Sequence, residues 1–195
     1  MCTGRWARCT GDLLFPFALL SIVANILLFF PNGEVWGTEQ ITECVWLFPG
    51  VIGGGALVLL PASVIRAAGM EGSCLANRCG MLISMVMAVV GVAGALYCLI
   101  ITVVGLKEGP LCDTGDGLFI YPFSNKTLNE SYLFNQEVWE QCEQPRIVVL
   151  WNIVLFSILL GLSTLEAILL LSQVANGLLG CLCGTCINKR QGNLA

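Results

Sequence analysis

The chain has 195 residues, of which 56% are apolar and 11% are charged, and its formal net charge at pH 7 is −4. An ordinary soluble domain carries about 25% charged residues, so this chain lacks the polar side chains that a water-exposed surface requires. It contains no histidine, which excludes imidazole bases, Ser/His and Cys/His nucleophile pairs and His-containing metal sites; we expect no enzyme and no cofactor.

Four long apolar runs predict helices that cross a membrane. A helix that rises 1.5 Å per residue needs about 20 residues to cross a hydrocarbon layer roughly 30 Å thick. The first run is longer than the apolar core of a signal peptide, which has about 7 to 15 residues, and is therefore expected to be retained. Together the runs predict an all-α, single-domain bundle of four transmembrane helices, at residues 13–30, 45–65, 81–106 and 147–171.

The basic residues predict that both termini lie in the cytoplasm. Lys and Arg near helix ends are retained on the cytoplasmic side. With the N-terminus inside, the inner segments hold six of the nine basic residues, Arg5, Arg8, Arg66, Arg78, Lys189 and Arg190, and the outer loops hold Lys107, Lys126 and Arg146. We expect a multi-pass protein of the plasma membrane, with an endosomal, lysosomal or other internal membrane as the alternative.

The large outer loop, residues 107–146, carries two marks of the secretory pathway. Asn125 and Asn129 begin N-x-S/T sequons, which are usable for N-glycosylation only in the secretory lumen. Cys112 and Cys142 lie near the two ends of the loop, where disulfides persist, and a bridge between them would contribute about 3 to 4 kcal/mol in the chain-entropy model. Cys44 has three interpretations: an unpaired thiol, a thiol buried at the interface, or a third partner competing for the bridge.

Seven other cysteines fall near the predicted inner ends of the helices. Cytosolic cysteines beside a membrane are the usual acceptors for S-palmitoylation, which is the prediction for Cys2, Cys9, Cys74, Cys79, Cys181, Cys183 and Cys186. The last three also resemble half of a zinc site. Acylation is favoured over a metal because the flanks are apolar and no second tight C-x-x-C follows. Cys98 lies inside a span, where we expect it to pack.

Glycines inside the spans are interpreted as helix-packing positions. Gly50 and Gly54 form a G-x-x-x-G pattern, and Gly91 and Gly94 offer a similar small surface. Small residues let transmembrane helices approach closely. The triple glycine at residues 53–55 is followed by no Lys-Ser/Thr pair, so the pattern does not predict a phosphate-binding loop.

Glu166 is the acidic residue inside a predicted span. An ionisable group there costs about 2.5 to 3.5 kcal/mol on insertion scales, so it normally faces the bundle interior and finds a partner. Two roles stay open: a proton or substrate relay, or a polar contact that joins helices. A transporter would show more than one such acid, so the joining role is favoured. Candidate neighbours are Asn25, Ser157, Ser163, Thr164 and Gln173.

The large loop has more aromatic residues than a simple tether needs. They predict either a core that packs over the disulfide or a surface that binds a partner. The loop carries seven acidic and three basic residues, and an acidic outer surface disfavours nucleic acid as a partner. The aromatic residues are Tyr121, Phe123, Tyr132, Phe134 and Trp139.

Several strings along the whole chain resemble the transmembrane-4 L-six family, a tetraspanin-like group. They are MCTG at 1–4, ARC at 7–9, NILLFFPNGE at 25–34, EGPLC at 108–112, WNIVLFSILL at 151–160 and NGLLG at 176–180. The resemblance implies the same plan of four helices, inner termini and a glycosylated second outer loop. Trp6 stands where the family often has a cysteine, and the inner loop keeps only Cys74 and Cys79, which leaves the extent of acylation open.

The resemblance implies a membrane organiser that associates with membrane lipids and laterally with integrins, receptors and tetraspanins, and that influences adhesion, migration and proliferation signalling. In that hypothesis small-residue helix faces pack against partner proteins, and self-association is compatible with the same contacts. The alternative is a small-molecule or lipid sensor or carrier, in which Glu166 and Asn25 line an internal cavity.

Overall fold

The computed structural model describes residues 3–33, 41–70, 78–113, 119–123, 133, 139, 142 and 147–183. Its α-helices are α1 (Thr3–Leu28), α2 (Glu43–Trp46), α3 (Leu57–Gly69), α4 (Arg78–Glu108) and α5 (Val148–Cys183). A 3₁₀ turn at Pro31–Gly33 follows α1, and a π-helical segment, Pro49–Ala56, joins α2 to α3. Two short strands, β1 (Cys112–Asp113) and β2 (Phe119–Ile120), pair antiparallel with Cys112 opposite Ile120.

Four helical stretches are long and apolar enough to cross a membrane, and they confirm the predicted four-helix membrane fold. The second stretch combines α2, the π-helical segment and α3. Helix α1 begins at Thr3, well before the apolar run at 13–30, because helical structure continues into the polar residues at its start. The stretches are Gly4–Leu28, Glu43–Gly69, Cys79–Glu108 and Val148–Cys181.

The four stretches form a closed ring in which α1 packs against α3 and α5, and α4 packs against α3 and α5. Close contacts fix which helix ends lie together. A Cβ atom on Gly11 would lie 2.8 Å from the Cβ of Arg66, and a Cβ atom on Gly180 would lie 2.9 Å from the Cε of Met81. The start of α1, the end of α3, the start of α4 and the end of α5 therefore share one end of the bundle, which we call the terminal end.

Alanines dominate the core near the terminal end. Transmembrane helices gain little hydrophobic free energy from meeting one another and rely on close van der Waals contact, which small side chains permit. Large apolar side chains point outward on every stretch and remain exposed to the surrounding lipid. The buried core residues here are Ala7, Leu14, Ala18, Val58, Ala62, Ile65, Ala88, Ala95, Ala167 and Leu170.

A local change of backbone conformation at Phe48 separates α2 from the π-helical segment. Phe48 has φ 46° and ψ 48°, a left-handed conformation that costs about 1 to 3 kcal/mol in a bulky residue. Its ring stacks on Phe29 at a centroid distance of 5.3 Å, and the Tyr97 hydroxyl donates a 2.7 Å hydrogen bond to the carbonyl of Leu47. These contacts hold Phe48 and Leu47 in place before the buried glycines of the π-helical segment.

The large loop between α4 and α5 contacts the bundle beside its disulfide. Cys112 and Cys142 are bonded, with Cα atoms 5.5 Å apart, which confirms the predicted bridge. Phe123 is buried in the same cluster. The backbone N–H of Glu43 donates to the Tyr121 hydroxyl at 3.0 Å, and burial raises the pKa of that hydroxyl. The N–H of Leu111 donates to the Thr42 hydroxyl at 3.3 Å.

Candidate intramembrane polar site

Three buried polar side chains lie inside the bundle on its first and last spans. Ser21 and Asn25 lie four residues apart on the inward face of α1, and Glu166 lies on the inward face of α5; all three are 0% exposed. The Ser21 hydroxyl donates a 3.2 Å hydrogen bond to Oε1 of Glu166. The bond joins the first and last spans, so the structure gives Glu166 the partner that an intramembrane acid needs.

Asn25 caps the π-helical segment. Its Oδ1 accepts hydrogen bonds from the backbone N–H groups of Gly50 and Val51, both at 3.1 Å. The first N–H groups of any helix have no partner within that helix, and inside a membrane water cannot supply one. A side-chain oxygen from α1 therefore takes the place of a local cap and fixes the second span against the first.

Glycines allow this approach. A Cβ atom on Gly50 would overlap the carbonyl oxygen of Ser21 and lie 2.7 Å from the Cβ of Asn25. A Cβ atom on Gly54 would lie 3.0 Å from the Cβ of Ser21 and 3.2 Å from Oε2 of Glu166. Any larger residue would push the helices apart. We call Ser21, Asn25, Gly50, Gly54 and Glu166 the polar seam.

Two atoms of the polar seam have no hydrogen-bond partner in the part of the chain that the structure describes. They are Nδ2 of Asn25, a donor, and Oε2 of Glu166. An unmade hydrogen bond at a buried polar group costs about 1 to 3 kcal/mol. Oδ1 of Asn152 also lacks a hydrogen-bond partner among the described residues. Asn152 lies near the start of α5, away from the terminal end.

A second buried polar group, closer to the terminal end, is internally satisfied. Nε2 of Gln173 on α5 donates a 3.3 Å hydrogen bond to the hydroxyl of Ser84 on α4. Nδ2 of Asn176, also on α5, donates a 3.3 Å hydrogen bond to Oε1 of Gln173. Gln173 thus joins α4 to α5 by a hydrogen bond, and both the nitrogen and the oxygen of its amide have partners. The polar seam differs because its donor and acceptor remain unmatched.

Comparison with known proteins identifies the group to which this architecture belongs. The family model described as L6 membrane protein matches residues 1–187. The chain belongs to the L6 membrane protein family. It is 44% identical over 200 residues to human "Transmembrane 4 L6 family member 1", covering 98% of each chain, and 43% identical over 196 residues to human "Transmembrane 4 L6 family member 5", covering 97% of this chain and 98% of that one. No solved structure matches.

Another relative also matches over nearly the whole length of both chains. Mouse "Transmembrane 4 L6 family member 4" is 42% identical over 196 residues, which cover 95% of this chain and 94% of the relative. These are multi-pass membrane proteins, and the four spans of this chain agree with that plan.

The glycines predicted to pack helices contact helices of the same bundle. Besides Gly50 and Gly54, Cβ atoms on Gly91 and Gly94 would lie 2.9 Å from Cδ2 of Leu170 and 2.6 Å from the Cβ of Leu57. These four glycine positions are therefore filled from within the bundle.

The cysteines predicted to be acylated differ in exposure. Cys9 and Cys79 are exposed at the terminal end and Cys181 is partly buried there. Cys183 belongs to α5, but its side chain lies outside the described part of the structure, as do residues Cys2, Cys74, Cys186, Asn125 and Asn129.

The two remaining thiols are buried. Cys44 lies at the end of the bundle opposite the terminal end and contacts Oε2 of Glu108 at 3.7 Å, which agrees with a buried thiol rather than a competitor for the bridge. Cys98 lies 4.0 Å from the hydroxyl of Thr102 on the same helix, in the apolar cluster of Ala24 and Phe156.

Sequence reasoning missed the partner of Glu166. Ser21 was not among the expected neighbours, although its position four residues before Asn25 places both side chains on one helix face. That spacing was the available signal. Among the residues the structure describes, no group of three His, Cys, Asp or Glu side chains could hold a metal ion.

Proposed function

We propose that this L6 family member is a non-enzymatic membrane organiser that associates laterally with integrins, receptors or tetraspanins and influences adhesion, migration or proliferation signalling. The proposal rests on family membership over nearly the whole chain and on the way the bundle distributes its side chains. The buried polar groups bind one another across the ring, while the outward surfaces of the spans are apolar.

The exposed apolar surfaces are the observation that carries the proposal. On α5 an outward stripe of large side chains alternates with the inward residues, and it includes Val154, Ile158, Leu165 and Ile168, each at least 44% exposed. In a bilayer such a stripe meets lipid or another membrane protein. Large side chains provide shape for a specific lateral contact, and the disulfide-closed outer loop offers a second contact region.

Orientation and lipid modification complete the proposal. The terminal end holds the exposed Arg5, Arg8 and Cys9 at the start of α1 and the exposed Cys79 at the start of α4. With this end in the cytoplasm, the arginines obey the positive-inside rule and the cysteines become accessible to acylation beside the inner leaflet. Asn125 and Asn129 then face the secretory lumen, where N-glycosylation occurs.

Proximity labelling in intact cells tests the organiser function. An enzyme that converts biotin to a reactive form is fused to the C-terminus of this chain and, separately, to an unrelated four-span protein expressed at the same level. Biotinylated integrins, receptors or tetraspanins should be more abundant with this chain than with the unrelated protein. A variant with Val154, Ile158 and Leu165 replaced by Ala should lose part of that set. A matched variant with the exposed Val86, Val89 and Ile100 of α4 replaced by Ala controls for altered expression. Labelling indistinguishable from the unrelated protein would contradict the proposal.

A second candidate function, an intramembrane sensor or carrier of a small molecule or lipid, is favoured by one observation. Oε2 of Glu166 is buried and without a hydrogen-bond partner among the described residues, so a ligand could supply the missing contact. Replacement of Glu166 by Gln and by Leu, followed by ligand-dependent thermal stability measurements, tests this function separately from partner recovery.

A further inference from the structure

Charge is divided unevenly along the chain. The segments predicted to lie in the cytoplasm, 1–12, 66–80 and 172–195, contain six basic and two acidic residues, whereas the predicted outer segments, 31–44 and 107–146, contain three basic and ten acidic residues. The terminal end should therefore attract anions. The cytoplasmic bases that precede the last span are all arginines, namely Arg5, Arg8, Arg66 and Arg78.

Three of these arginines lie where α1 borders α3. Arg5, Arg8 and Asp12 are spaced by three and four residues, which places them on one face of α1. That face is beside α3, because a Cβ atom on Gly69 would lie 2.5 Å from the backbone nitrogen of Arg8. From α3, Nε of Arg66 lies 2.9 Å from Oδ1 of Asp12. The three guanidinium groups thus share one flank of the bundle.

The three arginines differ in how they are held. The Arg66 guanidinium pairs with Asp12 and lies 6.0 Å from the centroid of the Phe15 ring, so its position is fixed by the bundle. Arg5 and Arg8 are exposed and have no ion-pair partner among the residues that the structure describes. Asp12 offsets one of the three positive charges, and the flank keeps a net positive charge for a ligand.

The flank lies at the depth of lipid headgroups. Helix α1 has 26 residues, which correspond to about 39 Å, whereas the hydrocarbon layer is about 30 Å thick. Its charged residues before the apolar run, Arg5, Arg8 and Asp12, therefore extend into the headgroup layer. Trp6, which is 50% exposed, lies between the two arginines, and exposed tryptophans favour that layer. The guanidinium groups are thus placed beside lipid phosphates.

Guanidinium groups favour one class of anionic headgroup. Any cation attracts a phosphodiester such as that of phosphatidylserine, but the planar fork of arginine binds phosphate through two parallel hydrogen bonds. A phosphate monoester carries a charge of about −1.5 to −2 at pH 7 and three acceptor oxygens. The ring phosphates of phosphoinositides are monoesters, and several on one ring match several guanidinium groups on one flank.

We propose that Arg5, Arg8 and Arg66 form a headgroup site for a phosphoinositide in the adjacent leaflet. The exposed Arg5 and Arg8 donate paired hydrogen bonds to ring phosphates, and Arg66, held by Asp12, supplies the third guanidinium group. The site goes beyond the organiser function but rests on the orientation proposed with it, because the anionic lipids that attract juxtamembrane basic residues belong to the cytoplasmic leaflet.

Native mass spectrometry of the purified full-length chain, released from phosphatidylcholine nanodiscs, tests the site by counting the lipids that remain bound. The nanodiscs contain either phosphatidylinositol 4,5-bisphosphate or the amount of phosphatidylserine that gives the same total charge. The phosphoinositide should be retained in preference to phosphatidylserine. The double variant Arg5→Lys, Arg8→Lys keeps the charge but loses the forks, so it should bind the phosphoinositide about tenfold more weakly and phosphatidylserine as before.

Addition of Arg66→Lys to this double variant should weaken phosphoinositide binding further, since lysine keeps a charge for Asp12 but not the fork. The double variant should have the wild-type Tm in uncharged detergent without anionic lipid, because both side chains are exposed. An unchanged Tm separates lost binding from lost structure.

A matched pair of variants locates the site. Arg8→Ala and Lys107→Ala each remove one exposed positive charge, from opposite ends of the bundle. Arg8→Ala should weaken phosphoinositide binding about tenfold, and Lys107→Ala should leave it unchanged. Equal weakening by the two variants would show that the overall charge, and not this flank, holds the lipid.

Two further results would overturn the site. Equal retention of the phosphoinositide and of charge-matched phosphatidylserine by the wild-type chain would reject recognition of ring phosphates. An undiminished preference in the lysine double variant would place recognition outside Arg5 and Arg8. A nanodisc exposes both ends of the bundle to lipid, so these results do not depend on orientation in cells, and proximity labelling tests the organiser function independently.

Discussion

Ser21 of α1 and Glu166 of α5 are hydrogen-bonded at 3.2 Å across the interior of the bundle, although 145 positions separate them in the chain. The bond closes the ring of four spans between its first and last members. It lies against Gly54 of the second span, so three of the four spans meet at one carboxyl group. Loss of any of these contacts should therefore loosen the bundle as a whole.

A double-mutant cycle on Ser21→Ala and Glu166→Leu, each of which removes one partner of the hydrogen bond, should reveal a coupling free energy of about 0.6 kcal/mol, with an upper range near 1.7 kcal/mol, as found for hydrogen bonds between transmembrane helices. Unfolding by SDS in mixed micelles measures it. Ser63→Ala is the control, because the exposed Ser63 hydroxyl bonds only to the Leu59 carbonyl of its own helix. Coupling of zero would show that Ser21 does not bind Glu166.

Gly54→Ala should destabilise the chain by about 1 to 3 kcal/mol, the usual cost of extra volume in a packed interior, because the added carbon would lie 3.0 Å from Ser21. Gly161→Ala is the opposite case on α5, where an added carbon meets nothing within 4 Å. It should leave stability unchanged or raise it by up to about 1 kcal/mol through helix propensity. Similar losses in both variants would contradict the packing described for the seam.

Cys142→Ser should lower the free energy of unfolding by about 2 to 5 kcal/mol and abolish the mobility difference between reduced and non-reduced chain on gels. Cys44→Ser should retain that difference, because Cys44 contacts Glu108 and not the bridge. Disappearance of the mobility difference in Cys44→Ser would assign the disulfide to another pair.

Thiol reactivity should follow exposure. In detergent, a maleimide should modify Cys9 and Cys79, which are exposed, much faster than Cys98, which is fully buried. In cells, acyl exchange should detect thioesters that are reduced in a Cys9→Ser, Cys79→Ser variant and unchanged in Cys98→Ser. Equal maleimide reactivity at all three positions would contradict the burial of Cys98.

The sequence predicts the four spans well because the hydrocarbon layer cannot pair backbone polar groups. A chain that crosses it must therefore form long apolar helices, and long apolar runs can be recognised in a single sequence. It also identifies Glu166 as an inward-facing group, since an outward acid would be too costly. The disulfide was predicted from the positions of Cys112 and Cys142 near the two ends of the large loop. These predictions depend on composition and position along the chain alone.

The hydrogen-bond partners could not be predicted in the same way. Whether Ser21 meets Glu166 depends on the rotation of two helices about their axes, and hydropathy does not determine that rotation. The π-helical geometry of Pro49–Ala56 depends on tertiary contacts, namely the left-handed Phe48 before it and the Asn25 cap from another helix. The glycine pattern predicts close approach of helices, but it does not determine which side chains each glycine contacts in the bundle.

The organiser account depends most directly on where partners touch the bundle. Ile168 and Leu170 are two positions apart on α5, yet Ile168 is 58% exposed and Leu170 is 0% exposed. A photo-crosslinking amino acid placed at residue 168 in living cells should capture integrins, receptors or tetraspanins, while the same probe at residue 170 should capture only the chain itself. Capture of lipid alone from residue 168 and from the other outward positions 154, 158 and 165 would contradict the account.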